Sequence, residues 1–372
     1  GILLMLFSSI QLVPLVFALF ESQRNASGFI YAILITFFSG LFLWLPVRNA
    51  RHDLRIRDGF LITSLFWTVL GLFGALPFAL SEALQISTMD AVFESISGLT
   101  ATGATVIEGL DELPRSILFY RQLLQWLGGI GIVVIAVAIL PMLGVGGMQI
   151  YRAETPGPIK DSKLTPRITE TATVLFRIYL GLTAACALAY WAAGMSGFDA
   201  ISHSFSTVAI GGFSTHDASI GFFDSGLIMS ICMFFMIISG LNFALHYLVW
   251  HNRSLSSYWQ DAEARMYIYL LLIGIVITCL YLFGSGTYNW NESISQGTFQ
   301  LVSIMTTTGF STTEFSSWPT FLPFFLLVLS FFGACAGSTG GGIKIGRMLI
   351  LGKQVIREIY RLVHPNALLP IK

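Results

Sequence analysis

Charge is scarce in this chain. Only 11% of its 372 residues are Asp, Glu, Lys or Arg, less than half the share of about 25% found in soluble domains. The two signs also cancel, with 20 basic and 20 acidic residues, which excludes a nucleic-acid surface as the main business of the chain. Cysteine is almost as rare. Cys186, Cys232, Cys279 and Cys335 stand singly in apolar surroundings, without CxxC or other metal spacing. A disulfide or zinc framework is thereby excluded, and the four read as small buried hydrophobes. No secretory signal pattern is evident. Gly1 already lies inside an apolar run, so the natural N-terminus is expected upstream of it. What is abundant is apolar surface, 55% of residues with a mean hydropathy of +0.75. Such a composition belongs in lipid.

A helix of about 20 apolar residues crosses the hydrocarbon core. Eight segments qualify: 1–20, 29–47, 60–81, 116–140, 173–194, 222–250, 266–284 and 320–336. Basic residues follow the second span (Arg48, Arg51, Arg55, Arg57), the fourth (Arg152, Lys160, Lys163, Arg167), the sixth (Arg253, Arg265) and the eighth (Lys344, Arg347, Lys353, Arg357, Arg361). If every span crosses once, all four groups fall on one side, which is the cytoplasmic one. Acidic residues collect on the other side: Glu108, Asp111, Glu112, Asp217, Asp224, Glu292 and Glu314. They make either a mildly negative vestibule that concentrates cations or ordinary solvated loops.

Between the third and fourth, fifth and sixth, and seventh and eighth spans lie shorter mixed stretches near 88–99, 197–208 and 293–305. At about 1.5 Å per residue, each reaches about half a membrane as a helix. Ser87 with Thr88, Ser196, and Asn291 with Ser293 are their expected N-caps. Each stretch runs into a short motif closing on one glycine: TATGATV at 100–106, AIGGFST at 209–215 and TTTGFST at 306–312. The closing glycines, Gly103, Gly212 and Gly309, recur at roughly hundred-residue intervals. Asp90-Ala91 and Asp199-Ala200 hold equivalent places ahead of the first two, whereas the third unit has Gln296-Gly297. A lone TxTG is a common turn, but three copies in equivalent places between spanning helices are not explained as turns.

A cation leaves water only where oxygens replace its hydration shell, and backbone carbonyls from loops around an axis do this. Aiming successive carbonyls one way needs backbone angles that glycine adopts at little steric cost. On this logic Ala101, Thr102 and Gly103, then Ile210, Gly211 and Gly212, then Thr307, Thr308 and Gly309 line a potassium filter. The short helices would aim their partly negative C-terminal ends at its centre. Non-helical backbone at this depth is tolerated where it is buried or lines water.

The run GACAGSTGGGIKIGR at 333–347 is too rich in glycine to continue a straight helix. It predicts a break in the eighth span, forming a loop beneath the filter. Gly337, Ser338, Thr339, Gly340, Gly341, Gly342 and Lys344 are the gate candidates, against an inert interfacial kink. A phosphate-binding loop is a poor reading, because Ile343 and Ile345 flank Lys344 where GK[ST] is required. A serine-lysine hydrolase built on Ser338 and Lys344 is a further alternative. Elsewhere, His203 and His246 read as hydrogen-bonded packing residues. Asn242 and His246, at helical spacing, are placed to touch the gate or a neighbouring helix. Arg121 is expected to pair with an acidic residue of the adjoining pore helix such as Glu94. The proline-rich TPGPIKDSKLTPR at 155–167 reads as a cytoplasmic linker or docking surface.

SGLTATGATV, STVAIGGFST, TTTGFST and ACAGSTGGGIKIGR together resemble the Trk/Ktr/HKT superfamily of potassium transport proteins, over nearly the whole chain. The resemblance implies an all-α polytopic membrane protein of the bacterial inner membrane, with four helix, pore-loop and helix units around a pseudo-fourfold pore. It implies K⁺ as the transported ion, bound by carbonyls near Gly103, Gly212 and Gly309, and no organic cofactor. It makes 337–344 an intramembrane gating loop. It also implies a homodimer, surrounded by membrane lipid, that docks on a cytosolic nucleotide-binding TrkA-type regulatory subunit. Glycine in all three loops favours K⁺ over Na⁺ on the same resemblance. The division expected is two leading helices at 1–47, pore units at 58–140, 168–250 and 264–347, and the start of a fourth unit at 348–372. A fourth glycine is expected near 410, so the fourth unit is expected to be missing from this stretch. The competing function is a secondary transporter coupling K⁺ to H⁺ or Na⁺, which wants an ionisable residue at mid-membrane.

Overall fold

The computed structural model describes residues 1–21, 23–49, 56–131, 168–319 and 321–363. The inner end of the fourth span, the 155–167 linker and the basic residues Arg51, Arg55, Arg152, Lys160, Lys163 and Arg167 lie outside them. The regular secondary structure among the described residues is helical, apart from one isolated parallel bridge between Phe332 and Ile343. Among the described residues, four helical stretches are long and apolar enough to cross a membrane: Ile2–Glu21, Ala26–Val47, Thr173–Ala192 and Ala262–Gly284. The leading stretch is two helices, Ile2–Ile10 and Leu12–Glu21.

The expected sixth span differs from the sequence reading. It is two helices, Gly226–Ser239 and Phe243–Asn252, bent by 95°. Gly240 ends the first, and the Asn242 side chain caps the second by accepting from the Ala244 N–H at 2.8 Å. The eighth span breaks as the glycines predicted. Its helix ends at Ser330 and resumes only at Ile345. The third span is also interrupted, as Ile56–Gly74 followed by Leu76–Ala79 with Pro77 inside.

Three short helices, Thr88–Leu99, Gly197–Val208 and Trp290–Met305, stand between the longer ones. Ser87 and Ser196 cap the first two as expected, each accepting from the backbone N–H three residues on, at 3.1 Å. The third cap is Asn289, not Asn291 or Ser293, and its capping box with Glu292 starts that helix about one turn earlier. Each short helix packs on the first long helix of its own unit. The second and third also pack on the second long helix of the preceding unit, Arg115–Ile130 and Gly226–Ser239. The units therefore follow one another side by side.

Two apolar clusters hold the assembly. One joins the leading helices to unit one through Leu4, Phe7, Phe29, Phe78 and Tyr120. The other joins units two and three through Tyr179, Tyr190, Tyr267, Phe299 and Leu301. All four cysteines are buried and free, as their settings predicted.

Candidate functional site

The three loops repeat one backbone conformation. Ala101, Ile210 and Thr307 have φ of 52°, 55° and 65°, and Gly103, Gly212 and Gly309 have φ of 78°, 78° and 90°. Thr102, Gly211 and Thr308, which lie between, keep ordinary negative φ. The three loops therefore share one alternation of φ. A left-handed conformation costs a non-glycine residue about 1–2 kcal/mol, so the same outlier in three loops marks a site that overrides local preference.

The loops are tied to their short helices by matched hydrogen bonds. The N–H groups of Thr102, Gly211 and Thr308 donate to the carbonyls of Ser97, Ser206 and Ser303, all at 2.8 Å. These three serines stand six residues before each closing glycine, a repeat that the sequence shows once the glycines are aligned and that sequence reasoning missed. Ser97 and Ser303 also donate to the carbonyls just beyond the glycine, Ala104 and Phe310, at 2.6 Å. Nine residues before the glycines stand Glu94, His203 and Gln300, each buried and each reaching the chain that leaves the loop. Glu94 accepts from Thr105 and from the Val106 N–H at 3.0 and 3.1 Å. His203 contacts Ser214 at 3.0 Å, and Gln300 donates to the Thr313 carbonyl at 2.9 Å. Even the departure at Gln296 is matched, since it accepts from Thr312 as Asp199 accepts from Thr215.

Neighbouring loops touch through their glycines. A Cβ on Gly103 would overlap the Gly211 carbonyl oxygen, and one on Gly212 would overlap the Thr308 carbonyl oxygen. At these two positions both the backbone angle and the neighbouring loop require glycine.

The Arg115–Ile130 helix braces loops one and two from behind. Arg121 pairs with Glu94 at 2.7 Å, as expected, with both side chains no more than 1% exposed. Arg121 also donates to Thr105 and to the Ser214 carbonyl at 3.0 Å and lies over the Phe213 ring. One turn further along the helix, Gln125 donates to the Gly211 carbonyl at 2.6 Å and accepts from the Phe213 N–H at 3.0 Å.

The glycine-rich loop lies against these elements. Thr339 donates to the Val208 carbonyl, where the second short helix ends, at 2.9 Å, and the Gly341 N–H donates to the Thr307 hydroxyl at 2.8 Å. The bend in the sixth span meets it too. The Phe243 N–H donates to the Gly337 carbonyl at 3.0 Å, and the Cys335 N–H donates to the Gly240 carbonyl at 2.9 Å. Asn242 packs against Gly337, so it does touch this loop. His246 instead bonds Tyr258 and the Ile238 carbonyl. Glu263 anchors the loop's inner side, accepting from the Ala336 and Gly346 N–H groups at 2.7 Å. Ser338 donates to the Cys335 carbonyl, and Lys344 donates to the Gly340 carbonyl. These two side chains are turned to different carbonyls rather than paired for nucleophilic chemistry.

Beyond the second loop, His216 bridges units one and two. Its Nδ1 bonds Asp111, its Nε2 faces Asp199 at 3.5 Å, and its ring stacks on Phe222. Burial alone would lower the His216 pKa, but its contacts with the two carboxylates outweigh this and raise it above the ordinary 6.5.

A chain of spanning helices joined through short helices and glycine-closed loops defines a polytopic membrane protein of the transport class. It belongs to the TrkH family, described as cation transport protein, which matches residues 21–372. The chain is 56% identical to the Trk system potassium uptake protein TrkH of Halomonas elongata, covering 100% of this chain and 77% of that protein. It is 54% identical to TrkH of Escherichia coli K12 and 42% identical to the Trk system potassium uptake protein TrkG of the same strain; the matches cover 100% of this chain and 77% and 76% of those proteins. The crystal structure of the potassium transporter TrkH from Vibrio parahaemolyticus superposes with a TM-score of 0.88 at 51% identity, over 100% of this chain and 77% of that one. Membership places the chain among membrane transporters and not among enzymes.

Proposed function

We propose that this protein carries K⁺ inward across the bacterial inner membrane through a filter lined by Ala101, Thr102 and Gly103, by Ile210, Gly211 and Gly212, and by Thr307, Thr308 and Gly309. The observation that carries the reading is the threefold repeat of one backbone pattern, positive φ on either side of a residue with negative φ, held by matched bonds to Ser97, Ser206 and Ser303. The relatives named as potassium uptake proteins support K⁺ as the ion.

Carbonyls held in this way replace water around a dehydrated ion without reorganising at each passage. The short helices contribute by their direction, since each C-terminal end leads straight into its loop and favours positive charge there. A filter closed on all sides needs a fourth loop beside Gly309, where no described residue comes within 4 Å of a Cβ position. The pore units in this reading are 58–140, 168–250 and 264–347, preceded by two helices at 1–47.

The segment from Gly337 to Lys344 is the gate in this reading. Its contacts with Val208, Thr307 and the 95° bend put it next to the second and third loops. Opening requires those bonds to break together. No organic cofactor enters the reading. A homodimer and a cytosolic TrkA-type nucleotide-binding subunit are the proposed partners, in keeping with relatives named as members of a Trk system.

The experiment is Rb⁺ and Na⁺ uptake by the full-length protein in proteoliposomes, comparing wild type with Gly212→Ser. The added side chain meets the Thr308 carbonyl, so the preference for Rb⁺ falls. A preference equal to wild type removes the filter assignment.

A further inference from the structure

Loops one and three are stiffened from within. The Thr100 and Thr102 hydroxyls bond each other at 2.7 Å, and so do Thr306 and Thr308. In loop two the same positions are Ala209 and Gly211, so no such pair can form. A brace from another unit stands in that place. Gln125 is fully buried, and its carboxamide donates to the Gly211 carbonyl while accepting from the Phe213 N–H. The two bonds straddle Gly212, the closing glycine of the loop.

We propose that Gln125 is the positioning residue of the second loop and sets its share of ion selectivity, and that residue 211 is glycine in order to admit it. This rests on the filter reading above. The two features require each other. A Cβ on Gly211 would overlap the Gln125 carboxamide, so a threonine there and glutamine at 125 exclude one another. A carboxamide offers a donor and an acceptor at one end, which matches a carbonyl and an N–H two residues apart. A carboxylate would set an acceptor against the Gly211 oxygen, and an aliphatic side chain would leave both backbone groups unpaired. The Gly211 oxygen also bears on Gly103 of loop one. Any rotation of that carbonyl is therefore passed to the neighbouring loop. Arg121, four residues earlier on the same helix, holds the Ser214 carbonyl, so one helix face fixes loop two from 211 to 214.

The test is the Rb⁺ to Na⁺ uptake ratio of the full-length protein in proteoliposomes. Gln125→Met keeps the volume and removes both bonds, and the ratio should fall about tenfold, the effect expected from losing one or two hydrogen bonds. A triple variant, Gln125→Ala with Ala209→Thr and Gly211→Thr, rebuilds the hydroxyl pair of the other loops and should recover most of the ratio. Residue 211 keeps an ordinary φ, so threonine is tolerated there once Gln125 is shortened. A wild-type ratio in Gln125→Met, or no recovery in the triple variant, overturns the proposal. If Gln125→Met yields no folded protein, Gln125→Asn carries the test, because the same carboxamide on a side chain one methylene shorter cannot hold both Gly211 and Phe213; an unchanged ratio there is equally fatal. Gly212→Ser separates the two levels of the argument. If its ratio is altered while that of Gln125→Met is not, only the role of Gln125 fails. If neither is altered, the filter reading has failed first.

Discussion

Replacing Glu94 tests whether the charge pair behind the first loop is structural. Its carboxylate receives Arg121, the Thr105 hydroxyl and the Val106 N–H, and both charged side chains are sealed from solvent. Glu94→Leu strands the guanidinium, and removing one partner of a buried pair costs about 3–5 kcal/mol. Arg121→Met should fall near the lower end of that range, because Thr105 and Val106 still serve the carboxylate. The double variant has no stranded charge. It leaves the Val106 N–H and the Ser214 carbonyl without their partners, about 1–3 kcal/mol for each group. The double variant should therefore lose about 2–6 kcal/mol, less than the sum of singles of about 6–8 kcal/mol, a coupling of up to several kcal/mol. Equilibrium unfolding of the four proteins in mixed micelles measures this. Additivity within about 0.5 kcal/mol, or a single variant as stable as wild type, refutes the reasoning.

Other outcomes are expected from the same geometry. The His216 pKa lies above its ordinary 6.5, so the stability it contributes by bridging Asp111 and Asp199 is complete below that ordinary value. It is lost as pH rises through the raised one. The stability advantage of wild type over His216→Asn should be full below pH 6.5 and shrink as pH rises above it, and thermal melts on both sides of that pH would show an unchanging difference if the bridge is inert. Thr339→Val removes the hydroxyl that holds the glycine-rich loop to the Val208 and Ser239 carbonyls. Uptake should rise several-fold if this loop is the gate, and unchanged or lower uptake in well-folded protein argues against it. Gly103→Ser should resemble Gly212→Ser in lowering the Rb⁺ preference, since each side chain meets the next loop's carbonyl; two-isotope uptake compares them directly.

Features that a single stretch of chain imposes on itself were legible in the sequence. Gly103, Gly212 and Gly309 sit at the ends of short helices because the backbone there must turn left-handed, and glycine does so at little cost. The break after Ser330 follows from glycines that cannot sustain a helix. Ser87 and Ser196 cap because their side chains reach an N–H three residues on. The bend at Gly240 was carried by weaker signals, one glycine and one capping asparagine inside an apolar run, and such a run reads as one continuous span until a partner shows why it turns. That partner is the glycine-rich loop, which bonds Gly240 and Phe243. The third cap was misplaced because Asn289 and Asn291 are equally good caps locally and only Glu292 decides between them. Gln125 was invisible for a different reason. Its partners lie more than eighty residues away in another unit, and nothing in its own neighbourhood marks it among the polar residues of that helix.

Anomalous diffraction from crystals of the full-length protein grown in Rb⁺ tests the central claim most directly. Rb⁺ is expected on the axis between the carbonyls of Ala101 to Gly103, Ile210 to Gly212 and Thr307 to Gly309. Peaks confined to any other part of the protein, with none between these loops, would contradict it.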